Sequence, residues 1–526
     1  MEDQLGGSNP AASSQGAIKT LLRGAALFFF GLLFGKIAVY LFRLIVSRLG
    51  AANYGIFSLA LSVFNIAILF AVMGAQFGAA RFIPEERVKR NQAAINNIIS
   101  SAIKITLVSS IAVAILLALG SEWIAVNLFR NEMLAQVLFI VAIALPFSAL
   151  GSLFSTISRA FEKVQYEIIS KYFIENIVNL GLTAILIYLG WSLFGVAVAF
   201  VIASVCSFLA LLYLVESRVH KLIKPALEAG GIERKLLSFS FPLIGAQIVF
   251  LVMAWGDVIF LGIFRTVAEV GDYSTALPTA TLLALFPTAF GTLFLPIIIG
   301  VLTLKNAAEF KKIYSTLGKW IFLVNFSIFL LFVFYGRQVL RMLFGPQYEV
   351  AAMPLAILAF GYLGHSCLYN GTDVLNALNK QKKIFRNTAI SAATNIILNI
   401  LLVPAYGTVG AAVSISCALV LLGVLNTYEV YRLTSALPLS SSFIKIIIAG
   451  LGSLAATTWL FRALAFSSSG LNLLSLAIVY AIMYFALLLL MRVPDRTDFD
   501  ILLAIEKKAH LNLGFIKNII KRYYNF

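Results

Sequence analysis

The stretch GKIAVYLFRLIVSRLGAANYG, Gly35 to Gly55, sets the reading of the whole chain. Its first half finishes an apolar run from about Ala25 to Val46, long enough to cross a bilayer at about 20 residues per span. That run nevertheless carries Lys36 and Arg43, each of which costs roughly 2.5 to 3.5 kcal/mol at the centre of a spanning helix. The two cations are seven residues apart with Tyr40 between them, so at about 3.6 residues per turn all three share one helix face. Such a face has to turn away from lipid, toward protein or a hydrated cavity.

Working outward, the 526 residues are 61% hydrophobic and 12% charged, against about 25% charged in soluble domains. With a mean hydropathy of +0.95 this is an all-α polytopic membrane protein. Cys206, Cys367 and Cys417 all lie in apolar runs, which leaves neither a disulfide framework nor a paired metal motif. A net charge of +17 would suit nucleic acid only on a basic soluble face, whereas these cations fall between apolar segments, so no nucleic-acid partner is expected. The opening MEDQLGGSNPAASSQG lacks the features of a signal peptide and is read, through residue 18, as a disordered cytoplasmic tail.

A window of about 19 residues gives about fourteen spans. They lie near 23–47, 55–80, 96–119, 133–157, 167–190, 193–215, 239–264, 275–303, 315–336, 352–376, 385–404, 408–431, 443–462 and 471–491. Lys and Arg concentrate in alternate connections, such as Arg87, Lys89 and Arg90, or Lys380, Lys382 and Lys383, while GWS and PAYGT on the other side carry no charge. By the positive-inside rule both termini are expected in the cytoplasm and the protein in the cell (inner) membrane, with Arg48, Arg337, Arg341 and Arg462 as exceptions on the outer side.

The two halves resemble each other. Tyr54 corresponds to Tyr273, Gly78 in FGAARFIP to Gly291 in FGTLFLP, and Gly195 to Gly410, at nearly the same offset each time. The expected organisation is an N-lobe (19–216), a basic cytoplasmic linker (217–237), a C-lobe (238–434), an extra helix pair (435–492) and a basic amphipathic tail (493–526). Two six-helix lobes in pseudo-twofold repeat match a recurring transporter plan. In the tail, Asp495, Asp498 and Asp500 are read as complementing the dipole of a helix start rather than as a metal cluster.

Lys36, Tyr40, Arg43, Arg81 and Lys104 are the candidate substrate-binding residues, since converging cations make a potential suited to phosphate or carboxylate. Each has a plainer alternative: Lys104 snorkelling to the interface, Arg81 serving as a positive-inside anchor. Asp257 is the candidate coupling or gating acid; its distance along the chain from Arg43 falls within the repeat offset, and a purely structural pair with Arg43 is the alternative. Pro287 and Pro296, with Pro278, interrupt span 8 and mark it as a moving or binding segment. Gly31 and Gly35 in GLLFG form a small-xxx-small pattern, read as close helix packing. There is no GxxxxGK[ST] loop, and His220, His365 and His510 are scattered, so neither an ATPase motor, nor a metal centre, nor any cofactor is expected. A carrier, not an enzyme, is the reading, with coupling to an H+ or Na+ gradient or to the membrane potential.

RLIVSRLGAANYGIFSLALSVFNIAILFAVMGAQFGAARFIPE resembles the first two helices of polysaccharide flippases, the Wzx-type branch of the multidrug/oligosaccharidyl-lipid/polysaccharide exporter superfamily. DVIFLGIFRTVAEVGDYSTA, LFGPQYEVAAMPLAILAF and NALNKQKKIFRNTAISAATNIILNILLVPAYGTVGAAVS are similar to that branch as well. The resemblance implies a central cavity between two lobes, an extra C-terminal helix pair, and alternating-access flipping of a polyprenyl phosphate- or pyrophosphate-linked oligosaccharide such as an O-antigen unit. It also implies partners: the lipid-linked substrate, membrane lipids, and a polysaccharide polymerase and glycosyltransferase complex. Arg43, Arg48 and Arg81 match basic positions of the branch, and Asp257 a recurrent acid. A multidrug exporter, a peptidoglycan-precursor flippase and a scaffold remain as alternatives.

Overall fold

Backbone amides and carbonyls in hydrocarbon must find partners inside the protein, and a helix supplies them within one segment. The computed structural model describes residues 30–221, 231–304, 306–368, 370–438, 440–463, 470–494 and Asp498, and these contain helices and no strand. The N-terminal tail, most of the linker and all of the basic tail beyond 494 except Asp498 lie outside the described residues.

The first half comprises α1 (Phe30–Ser47), α2 (Ala51–Val72), α3 (Ala75–Val88), α4 (Gln92–Trp123), α5 (Glu132–Ala142), α6 (Leu145–Ala160), α7 (Val164–Glu167), α8 (Glu175–Tyr188), α9 (Ser192–Arg218) and α10 (Glu233–Phe264). There follow α11 (Val267–Ala280), α12 (Leu285–Thr303), α13 (Ala307–Leu343), α14 (Ala352–Leu368), α15 (Asn370–Ala377), α16 (Gln381–Thr434), α17 (Ser442–Ala463) and α18 (Gly470–Leu490).

Among the described residues ten helices are long and apolar enough to cross a membrane, eleven if the bent pair α5 and α6 is one span. The shortfall from about fourteen falls at interruptions. The fourth expected span is bent by 46°. The fifth is split by a π-helical turn at Ile168–Ile174, and the eighth by a 3-10 turn at Thr281–Ala284. The eleventh and twelfth are fused in the 54-residue α16, which would be about 80 Å long if straight, far more than a bilayer core of about 30 Å. Gly407 breaks it, at φ 54 and ψ −127, and a Cβ added at Gly410 would lie 2.4 Å from the Leu402 carbonyl oxygen. α16 is therefore a tight hairpin of two helices, and its first-half counterpart, α8 and α9, packs as closely at Gly195 against Leu186.

Packing divides the chain after Gly271. This is one helix later than the repeat alone suggests, because α10 rests on α2, α3 and α4. One core of the first unit joins Ala79, Ile83, Ile98, Ile99, Leu153, Phe154, Ile157 and Leu236, from α3, α4, α6 and α10. In the second unit, Phe322, Phe326 and Leu330 of α13 pack with Ile446 and Ala449 of α17 and with Tyr480, Tyr484 and Leu488 of α18.

Candidate functional site

Only the first unit carries the predicted cations, and they fall into separate groups. At the end of α1, the Arg43 guanidinium donates to the Tyr54 hydroxyl at 3.4 Å, and Tyr54 is buried. Among the described residues Arg43 has no carboxylate within salt-bridge distance, which leaves the alternative of a direct structural pair with Asp257 without a supporting contact. Asp257 itself lies on α10 and is 3% exposed. Beside Tyr54 two backbones cross. A Cβ added at Gly55 would sit 1.7 Å from the Val267 carbonyl oxygen, and one at Gly271 would sit 1.9 Å from that of Ala51.

Lys36 is exposed and Tyr40 half-buried on the same helix. The Gly31 and Gly35 pattern does serve close packing: α1 lies on the π-helical turn, with Gly31 against Ile168 and Gly35 against Tyr172, while Phe34 stacks on Phe173 at 4.4 Å. The order of these contacts makes the two segments parallel. Lys36 follows one contact residue and Lys171 precedes the other, which in a parallel pair turns both toward the same side. Lys171 was not among the expected site residues. It was visible as a cation near the start of an apolar run, but the packing of the π turn, a feature common at functional sites, on α1 turns it to the same side as Lys36.

Arg81 and Lys104 do not join Arg43. Arg81 is separated from Tyr54 by most of α2 and the start of α3, about 40 Å of helix at about 1.5 Å per residue. It sits at the basic end of the unit, its guanidinium 4.8 Å from the centre of the Phe239 ring. Lys104 is exposed on α4, within the electrostatic field of Glu233.

Between these groups the second expected span is broken. Met73 and Gly74 both take left-handed backbone conformations, φ 44 and 69. The disturbed carbonyls find hydroxyl donors: Ser109 donates to the Ala71 oxygen at 2.6 Å and Ser240 to the Gly74 oxygen at 2.7 Å. A comparable interruption lies in the second unit. Pro287 has no N–H to offer the carbonyl four residues earlier, that of Leu283. Asn325 donates to that oxygen at 2.8 Å and Ser366 at 3.3 Å. Pro296 lies within α12, outside the described side chains.

The second unit also holds a buried ion pair. Lys319 and Asp498 are 2% and 4% exposed, with Nζ and Oδ2 2.5 Å apart, and the other carboxylate oxygen accepts from the Trp320 indole at 2.6 Å. Asp498 is thus engaged by α13, a pairing that its position among nearby acids did not reveal. Among the described residues no group of His, Cys, Asp and Glu could hold a metal ion.

A family model described as "Polysaccharide biosynthesis protein" matches residues 21–300. An uncharacterized membrane protein of Methanocaldococcus jannaschii is 23% identical over 79% of this chain and 85% of its own length. A putative O-antigen transporter of Shigella flexneri is 22% identical over 74% and 92%. A probable low-salt glycan biosynthesis flippase of Haloferax volcanii is 27% identical over a shorter stretch, 33% and 37%. Among solved structures, the lipid II flippase MurJ in an inward closed conformation superposes with a TM-score of 0.69 at 17% identity, covering 88% of this chain and 98% of its own. An inward-facing multidrug transporter of the MOP superfamily gives 0.60 at 14%, covering 76% and 94%. These superpositions show that the chain shares the fold of those two proteins.

Proposed function

From the premise that the chain belongs to the polysaccharide biosynthesis protein family, we propose that it is a flippase, not an enzyme. It carries a polyprenyl phosphate- or pyrophosphate-linked oligosaccharide across the cell membrane for glycan assembly. The observation that carries this reading is Arg43: a guanidinium on a membrane-spanning helix whose described partner is a neutral hydroxyl, leaving its charge for an anion. Arg presents a planar fork of donors that fits phosphate, and low local dielectric strengthens the attraction. Lys36, Lys171 and Tyr40 extend the polar face while the polyprenyl tail stays in lipid. The basic end of the first unit, with Arg87, Lys89 and Arg90, faces the cytoplasm, as do both termini. Alternating access then separates and rejoins the crossing at Gly55 and Gly271, beside the Arg43 contact. Asp257, buried on a spanning helix, is the acid through which an H+ or Na+ gradient or the membrane potential acts. A polysaccharide polymerase and glycosyltransferases are the partners.

The test is transport of a fluorescent lipid-pyrophosphate oligosaccharide in reconstituted vesicles, read as the label protected from an external quencher. Arg43→Ala is expected to reduce flipping to background with normal expression, and Arg43→Lys to retain part of it. Efflux of a cationic dye that is unaffected by Lys36→Gln and Arg43→Gln would overturn this reading in favour of a drug exporter.

A further inference from the structure

Arg81, Lys235, Phe82 and Phe239 form a cluster that the Arg43 site does not use. α3 puts Arg81 beside Phe82, and α10 puts Lys235 one turn before Phe239, on the same helix face. Across the α3 and α10 seam cations alternate with rings. The Lys235 ammonium is 4.9 Å from the Phe82 centre, the Arg81 guanidinium 5.9 Å from Phe82 and 4.8 Å from Phe239, and the rings are 5.3 Å apart. Both cations therefore rest against a single ring, that of Phe82.

Two like charges gathered on one ring need a reason. Ring quadrupoles return little at exposed sites. The nearby acids make their hydrogen bonds elsewhere: Glu85, one turn from Arg81 and in the field of both cations, accepts from Lys89 at 3.0 Å, and Glu233 from the Ser101 hydroxyl at 3.0 Å and the Gly231 amide at 3.0 Å. Among the described residues neither Arg81 nor Lys235 has a carboxylate within salt-bridge distance, and both are exposed. Their scaffold is nonetheless firm, because α3 and α10 touch at Gly78 and Leu236 and are joined by the Ser240 bond to Gly74.

We propose that this cluster is a second anion site that takes the diphosphate of a lipid-linked substrate before the Arg43 site does. The inference rests on the flippase reading. A diphosphate has two charged groups one bridging oxygen apart and can engage Arg81 and Lys235 together, relieving their mutual repulsion. The rings, at the end of apolar helices, suit the first part of a lipid tail, and basic pockets between helices on this side of a membrane bind lipid headgroups. The substrate is thus loaded at one end of α2 and α3 and moved to the other.

The test uses the full-length protein in nanodiscs of neutral lipid, with farnesyl diphosphate as probe. Acetylation of the Lys235 amine by an N-hydroxysuccinimide ester is followed by mass spectrometry. Farnesyl diphosphate is expected to protect Lys235, inorganic pyrophosphate to do so only at concentrations at least tenfold higher, and phosphatidylglycerol only weakly. Arg81→Gln should weaken probe binding about tenfold, and Arg81→Lys should restore most of it. Equal protection by phosphatidylglycerol would overturn the proposal in favour of a structural lipid site, and equal protection by pyrophosphate would overturn the lipid requirement. A chain that flips the fluorescent oligosaccharide but leaves Lys235 unprotected would overturn this inference and leave the flippase reading standing. Protection of Lys235 without flipping would uphold the site and overturn that reading.

Discussion

The break between α2 and α3 and the break between α11 and α12 solve one problem with different residues. Each frees carbonyls within an apolar segment, and each recruits a donor from the helix that follows it in its own unit: Ser109 for Ala71, Asn325 for Leu283. The pairs correspond in the repeat, since Ala71 precedes Leu283 by nearly the same stretch of chain as Ser109 precedes Asn325 and Tyr54 precedes Tyr273. The first break is made by left-handed backbone at Met73 and Gly74 and is held by single hydroxyls. The second is made by proline and held by an amide and a hydroxyl together. A free carbonyl in the membrane needs a donor, but the sequence that frees it and the number of donors that hold it are independent choices.

The largest expected effect extends this contrast to charge, which the second unit buries at Lys319 and Asp498. Asp498→Asn leaves an ammonium without its counter-charge and should cost roughly 3–5 kcal/mol, seen as a lowered thermal midpoint in detergent. A Lys319→Met and Asp498→Leu double variant should recover most of it, and failure to recover would show that the pair does more than neutralise itself. Next, Asn325→Leu should cost about 1–3 kcal/mol by stripping Leu283 of its shorter hydrogen bond. Pro287→Ala should partly rescue it, because the restored N–H can reach the same oxygen. Additive costs in that double-mutant cycle would break the account of the second break.

Gly74→Ala should cost about 1–2 kcal/mol from the left-handed backbone, plus the displacement of Ser240, whose Cβ would lie 2.8 Å from the new methyl. No loss of stability would mean that the first break can re-form elsewhere. The smallest effect concerns the start of α10, where the amides of Glu233 and Gly231 hold the Glu233 carboxyl below its usual range. A depressed carboxyl contributes stability above its unfolded value of about 4.3 and loses it as pH falls through the folded value. Amide hydrogen exchange at Gly231 should therefore quicken as pH drops below about 4.3, relative to the intrinsic rate, and Glu233→Gln should flatten that dependence.

Hydropathy made the helices legible, because an apolar run of about 20 residues leaves a bilayer few other solutions. The repeat was legible in the same way: Gly195 and Gly410 were paired from sequence and both sit at tight hairpin contacts. Interruptions were partly legible. Pro287 announced the second break, whereas Met73 and Gly74 gave no comparable signal, because a lone glycine in an apolar run is usually tolerated within a helix. The cations were legible in residue type but not in grouping. Lys36, Arg43, Arg81 and Lys104 all read as intramembrane or near-membrane cations, but their grouping depends on the depth of each residue along its helix and on which helices touch. The π turn that turns Lys171 toward the side of Lys36 and the pairing of Asp498 with Lys319 are tertiary events with no local sequence mark.

At the crossing of Gly55 and Gly271, backbone meets backbone with no side chain between. Interlocked side chains must leave and re-enter fixed rotamers each time a contact opens and closes, at up to about 2 kcal/mol for each long side chain. A bare crossing has no such cost. In the proposed alternating access it serves as a low-friction bearing, and the residue next to it is Tyr54, whose hydroxyl Arg43 touches. The guanidinium contact and the bare crossing thus meet at adjacent residues, Tyr54 and Gly55.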